Sequence, residues 1–98
     1  MPEESAPPVE YVQSLDRGLA VIRAFSARTP RLTIADVARE TGLTRAAARR
    51  FLHTLCGLGY VGVSGGSFYL RPRVLELGYA YLSSVSVAEL AQEHLMAL

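Results

Sequence analysis

Between two short amphipathic segments stands Glu40-Thr41-Gly42-Leu43-Thr44. Glycine enters the left-handed region without a Cβ penalty, so Gly42 can close the segment before it. Leu43 offers an apolar plug for the angle between two helices, and Thr44 suits the cap of the helix that follows. Upstream, Thr33-Ile34-Ala35-Asp36-Val37-Ala38-Arg39-Glu40 reads as a short helix with Thr33 as cap. Asp36, three residues on, makes an approximate capping box. Ile34, Val37 and Ala38 form its inner face. Downstream, a longer helix runs from Thr44 to about Leu58. At about 100° per residue, Ala48, Phe51, Leu52, Leu55 and Leu58 gather on one side. Ala46, Arg49, Arg50 and His53 gather on the other, with Arg45 on the flank near the start.

Further outward, residues 14–27 read as a helix with Ser14 as N-cap and Asp16 in the first turn. Leu15, Leu19, Ile22 and Phe25 recur at helical spacing and form its apolar stripe. The stretch Arg28-Thr29-Pro30-Arg31 breaks the pattern. On the other side, Gly57 and Gly59 stop the long helix. Tyr60-Val61-Gly62-Val63 and Phe68-Tyr69-Leu70-Arg71 read as two strands, joined by the turn formers Ser64-Gly65-Gly66-Ser67. Pro72 suits the first turn of a further helix reaching about Ser83. Val74, Leu75, Leu77, Tyr79, Tyr81 and Leu82 leave that helix apolar nearly all round. Ser86 with Glu89 is a second capping box, opening a last helix through Leu98. The fold class is mainly α with a small β-hairpin: a winged helix-turn-helix followed by a linker helix.

Composition bounds what such a domain can be. Ninety-eight residues, half of them apolar, make one compact domain. No apolar run approaches the roughly 20 residues of a membrane span, so no membrane role is expected. The N-terminus, MPEESAPPVE, is acidic and Pro-rich, without the basic and apolar regions of a secretory signal; it reads as a disordered leader. The lone cysteine, Cys56, excludes an internal disulfide and any multi-cysteine zinc site, and suits a cytoplasmic location. His53 lies three residues before Cys56, but two ligands do not make a metal site, and Cys56 reads as a small core residue. There is no nucleophile–base pair, phosphate-binding glycine loop or paired-acid motif, so neither an enzyme nor a cofactor is expected.

The net charge of +1 conceals a strong segregation. All ten basic residues are arginines, and all lie between Arg17 and Arg73. Residues 11–75 carry them against Asp16, Asp36 and Glu40, a net +7. Residues 1–10 and 76–98 each carry −3. A basic block between acidic ends fits a polyanionic partner. The Thr44 helix sets a hydroxyl, small alanines and arginines in its first turns. Small residues let a backbone approach the major groove, and arginine donates bidentately to guanine or pairs with phosphate.

Several stretches resemble the IclR family of bacterial transcriptional regulators. They are Tyr11-Val12-Gln13-Ser14-Leu15-Asp16-Arg17-Gly18-Leu19 followed by Val21-Ile22, then Gly42 to Leu52, then Leu58-Gly59-Tyr60-Val61, and finally Leu70 to Leu82. In detail the chain is similar to the branch controlling protocatechuate and 4-hydroxybenzoate catabolism. The resemblance implies a homodimer, or a tetramer of the full-length protein, reading a pseudo-palindromic operator in double-stranded DNA. It also implies a small-molecule effector bound by a separate C-terminal domain that this sequence lacks. The domain reading is then a leader at 1–10, a winged helix-turn-helix at 11–71, a linker and dimerisation helix at 72–84, and the start of the effector domain at 85–98.

The candidate DNA contacts follow. Arg45 and Arg49 are placed at base edges, and Arg50 at a phosphate or an intramolecular acid. Ala46 permits close approach. Thr44 serves as cap and phosphate donor, and Thr33, with its amides and hydroxyl, can hold a phosphate at the helix crossing the backbone. Ser64, Gly65, Gly66 and Ser67 form a wing tip for a phosphate or the minor groove. Arg71 and Arg73 flank the wing and add general attraction. Leu75, Tyr79, Tyr81 and Leu82, with part of helix 14–27, are expected at a partner subunit. The competing expectation is a winged-helix interaction module whose arginine face meets an acidic protein.

Overall fold

The computed structural model describes residues 10–84, so the expected helix from Ser86 and nearly all of the expected leader lie outside the described residues. In chain order the elements are α1 (Gln13–Arg23), β1 (Arg31–Leu32), α2 (Ile34–Thr41), α3 (Arg45–Leu58), β2 (Val61–Ser64) and β3 (Ser67–Leu70). A 3-10 turn, Pro72–Leu75, then leads into α4 (Glu76–Ser84). The mainly α reading with a small β element holds, with one addition. The sheet has three antiparallel strands in the order β1-β3-β2. The extra strand pairs Arg31 with Tyr69 and Leu32 with Phe68. Two residues carry no periodicity, which is why the stretch after Pro30 reads as a break.

The helix-turn-helix is built as its residues dictate. Thr33 Oγ1 accepts from the Asp36 amide at 3.1 Å, and the Asp36 carboxylate accepts from the Thr33 amide at 3.0 Å, a complete capping box. At the far end Gly42 has φ 78°, and its amide donates to the Ala38 carbonyl at 2.9 Å. Leu43 is half-buried and packs on the core between α2 and α3. Thr44 is extended, and its Oγ1 accepts from the Ala47 amide at 3.1 Å, starting α3. Helix α3 closes on Gly59, again left-handed.

The core is Val21 and Phe25 from the first helical region, Leu32, Val37 and Ala38, then Ala48, Leu52 and Leu55 of α3, with Val61 and Phe68 from the hairpin. Two expected stripes shift here. Leu15 and Leu19 are 63% and 44% exposed, while Val21 is fully buried. Helix α1 packs on both α2 and α3, which turns Val21, rather than Leu15 and Leu19, into the core. Leu58, at the end of α3, is 54% exposed rather than part of the inner face.

Helix α1 also ends sooner than expected, at Arg23 rather than residue 27. A local network replaces it: the Ser26 amide donates to the Thr29 carbonyl at 3.3 Å, and the Thr29 amide donates to Ser26 Oγ at 3.2 Å. Serine and threonine hydroxyls offer the backbone this alternative to the helix. Its N-cap is Val12, with no side-chain bond, so Ser14 lies inside the first turn. The hairpin turn is tighter than the four residues expected. Ser64 pairs with Ser67, leaving Gly65 and Gly66, with φ 59° and 81°, as a two-residue turn of the type that matches strand twist.

Candidate nucleic-acid interface

Helix α3 divides its residues as the helical period requires. Ala48, Leu52 and Leu55 are buried, and Arg45, Ala46, Arg49, Arg50 and His53 are exposed. The structure brings Ala46, Arg49, Arg50, His53 and Thr54 together around one shallow cleft of about 490 Å³. Arg45, the first residue of α3, stands exposed at the same end as Thr44. Among the described residues no carboxylate pairs with Arg45, Arg49 or Arg50. Burying an unpaired charge is costly, but these charges are hydrated and available to an anion. The intramolecular acid allowed for Arg50 is therefore not found among the described residues.

The threonine caps set different limits. Thr44 Oγ1 accepts from Ala47, which leaves its hydroxyl hydrogen free to donate outward. Thr33 also keeps its hydroxyl hydrogen, but its amide is engaged by Asp36. Arg39 Nη2 sits 2.7 Å from the other Asp36 oxygen. The Asp36 pKa is lowered, first by the Thr33 amide and then by Arg39. A carboxylate thus already occupies the positive end of α2, where an incoming phosphate was expected to sit.

The wing tip is solvent-facing: Ser64, Gly65 and Gly66 are exposed and Ser67 is half-buried. Behind it, Arg31 stacks its guanidinium 4.7 Å from the Tyr69 ring centroid. Arg71 and Arg73 lie elsewhere, in a cleft with Gly57, Leu58 and Gly59 at the C-terminal end of α3. Fourteen residues of helix put that end roughly 20 Å from Thr44. Arg73 does not simply flank the wing: its Nη1 donates to the Leu58 carbonyl at 3.4 Å, an arginine on the negative end of α3.

A third cleft, absent from the expectations above, lies between α1 and α3. Ser14, Arg17, Ala47, Arg50, Phe51 and Thr54 line it. Arg17 escapes sequence reading because nothing local to residue 17 announces that Phe51 lies against Gly18.

The remaining expectations concern surfaces and groups. Leu75, Tyr79, Tyr81 and Leu82 are all exposed, Leu75 at 72% and Tyr79 at 69%. Cys56 is half-buried, and burial pushes its thiol pKa up. Among the described residues no three His, Cys, Asp or Glu side chains come together as metal ligands. No helix among them is long and apolar enough to cross a membrane.

Comparison with known proteins adds a family likeness. Residues 14–64 match the IclR helix-turn-helix domain. The Pca regulon regulatory protein of Pseudomonas putida is 51% identical over 86 residues, covering 88% of this chain and 30% of that protein. The p-hydroxybenzoate hydroxylase transcriptional activator of Acinetobacter baylyi is 42% identical over 86 residues, covering 88% and 32%. Among solved structures, a candidate transcriptional regulator from Rhodococcus sp. RHA1 is 66% identical with a TM-score of 0.72, covering 90% of this chain and 35% of that one. The chain spans about a third of the length of these proteins.

Proposed function

The chain belongs to the IclR family, and from that premise we propose that it is the DNA-reading part of a transcriptional regulator. The observation that carries this reading is the arginine face of α3, without a carboxylate partner among the described residues and set directly after the Gly42 turn. An α-helix with side chains is about 10–12 Å across and fills a major groove about 12 Å wide. Arg45 and Arg49 then reach base edges, Ala46 lets the helix backbone approach, and Thr44 donates its free hydroxyl to a phosphate. Arg50 and the wing tip at Ser64 to Ser67 add backbone contacts, with Thr33 contributing its hydroxyl. Arg71 adds long-range attraction from the far end of α3.

The regulator acts as a dimer. Each α3 occupies one major groove, and the half-sites lie about 34–36 Å apart or at a multiple of that spacing. Leu75, Tyr79, Tyr81 and Leu82, together with exposed Leu15 and Leu19 of α1, form the subunit contact. The names of the relatives support a role in aromatic-compound catabolism, with the effector bound by a C-terminal domain beyond this chain. Affinity comes mainly from phosphates and falls steeply with salt; specificity comes from a few bidentate contacts. The test is fluorescence anisotropy of the chain with a labelled random duplex at low and high salt. Binding that weakens with salt supports the reading, and no binding at low salt overturns it. Selection of bound duplexes from a random pool with the full-length protein then yields the operator and its spacing.

A further inference from the structure

The cleft between α1 and α3 has a volume of about 310 Å³. Its floor is Ala47 and the half-buried Phe51, against which α1 closes at Gly18: a Cβ there would lie 3.8 Å from the Phe51 ring. Two arginines, Arg17 from α1 and Arg50 from α3, line the same cleft. Neither has a carboxylate partner among the described residues. Asp16, the acid next to Arg17, accepts instead from the Tyr11 hydroxyl. Thr54 donates its hydroxyl to the Arg50 carbonyl at 2.9 Å, so it offers no donor to a ligand, whereas Ser14 does. The cleft therefore offers an anion two arginines and the Ser14 hydroxyl as donors, beside the apolar Ala47 and Phe51.

Its position says what anion it meets. Arg50 and Thr54 line both this cleft and the one holding Ala46, Arg49 and His53, so they form the ridge between the two. A duplex seated with its major groove on the Arg49 side has a phosphate backbone as the wall of that groove. For a duplex seated so, the wall on this flank of α3 would lie along the ridge, next to α1. Arginine matches a phosphate bidentately, and two arginines from different helices can hold one such group in a fixed place.

We propose that Arg17 and Arg50 clamp a backbone phosphodiester of the bound duplex between α1 and α3. Arg17 is the new member of the interface. Because it belongs to α1, it ties the first helix to the DNA and sets the register in which α3 enters the groove. The proposal rests on the reading of the chain as a DNA-binding domain.

The test compares the chain with its Arg17→Ala and Arg17→Lys variants on two labelled duplexes of unrelated sequence, across a salt series. Arg17 is exposed and is not one of the buried core residues, so circular dichroism and thermal unfolding of both variants should match the parent. Loss of one phosphate contact lowers the slope of log K against log salt by about 0.9. Arg17→Ala should show that loss and weaken binding to both duplexes by the same factor. Arg17→Lys should keep the slope, because the charge remains, while losing part of the affinity with the fork. An unchanged slope and affinity in Arg17→Ala overturn the clamp and leave the DNA-binding reading standing. A loss confined to one duplex also overturns it, by moving Arg17 to a base edge. Failure of the parent chain to bind either duplex at low salt overturns both.

Discussion

Gly42 and Gly62 are glycines for different physical reasons. At Gly42 a Cβ would meet nothing within 4 Å, so the requirement is conformational, set by φ 78°. At Gly62 the conflict is steric: a Cβ would lie 2.5 Å from Tyr69 Cζ. The Tyr69 ring reaches over Gly62 of the neighbouring β2 and carries the Arg31 guanidinium of β1, on the other side of β3, against its face. Gly62→Ala must therefore lift the Tyr69 ring, at a cost of about 1–3 kcal/mol in urea unfolding. The same substitution in a Tyr69→Ala background should cost far less; equal costs in both backgrounds would show that the ring is not the obstacle. Among the described residues Arg49 makes no ion pair, so Arg49→Ala should leave the fold intact. Its expected effect is on operator binding, a loss of about 1–3 kcal/mol in anisotropy titrations if its contact is bidentate to a base. Operator affinity equal to the parent's would remove Arg49 from the interface.

At the scale of elements, the start of α2 has a pH dependence of definite sign. The Asp36 carboxylate accepts from the Thr33 amide and from Arg39, and its pKa lies below the ordinary value. A group whose folded pKa is depressed stabilises the fold above its unfolded pKa, and that stability is lost as pH falls through the folded value. The parent chain should thus be more stable than Asp36→Asn at neutral pH, with the gap closing in acid below the ordinary carboxylate range. Urea unfolding at a series of pH values checks this; a gap that persists undiminished at the acid end would mean that Asp36 acts by shape rather than charge. The C-terminal end of α3 has its own clasp. Arg73 packs beside Gly59 and donates to the Leu58 carbonyl, which joins the 3-10 turn before α4 to the end of α3.

Across the whole molecule, apolar residues lie on two surfaces rather than one. The buried set around Leu52 and Val21 closes the domain, while Leu75, Leu77, Tyr79, Tyr81 and Leu82 remain exposed on the 3-10 turn and α4. In the proposed dimer this exposed run forms the subunit contact. Leu75→Glu should therefore lower self-association in sedimentation equilibrium while leaving the thermal unfolding of the domain nearly unchanged; unaltered association would move the subunit contact away from Leu75. Much of this architecture was determined locally and so was legible in the sequence. The Thr33–Asp36 box, the Gly42 turn, the Thr44 cap, the arginine face of α3 and the hairpin each depend on residues a few positions apart. What the tertiary structure alone decided involves residues far apart in the chain. Arg31–Leu32 became a strand because β3 offered it an edge. The Leu15 and Leu19 stripe turned outward because α2 and α3 claimed the Val21 side of α1. Arg17 came to share a cleft with Arg50 because Phe51 closes on Gly18. Helical and turn preferences are properties of neighbouring residues, whereas which face of a helix is buried, and which charges meet, depends on what the rest of the chain packs against it.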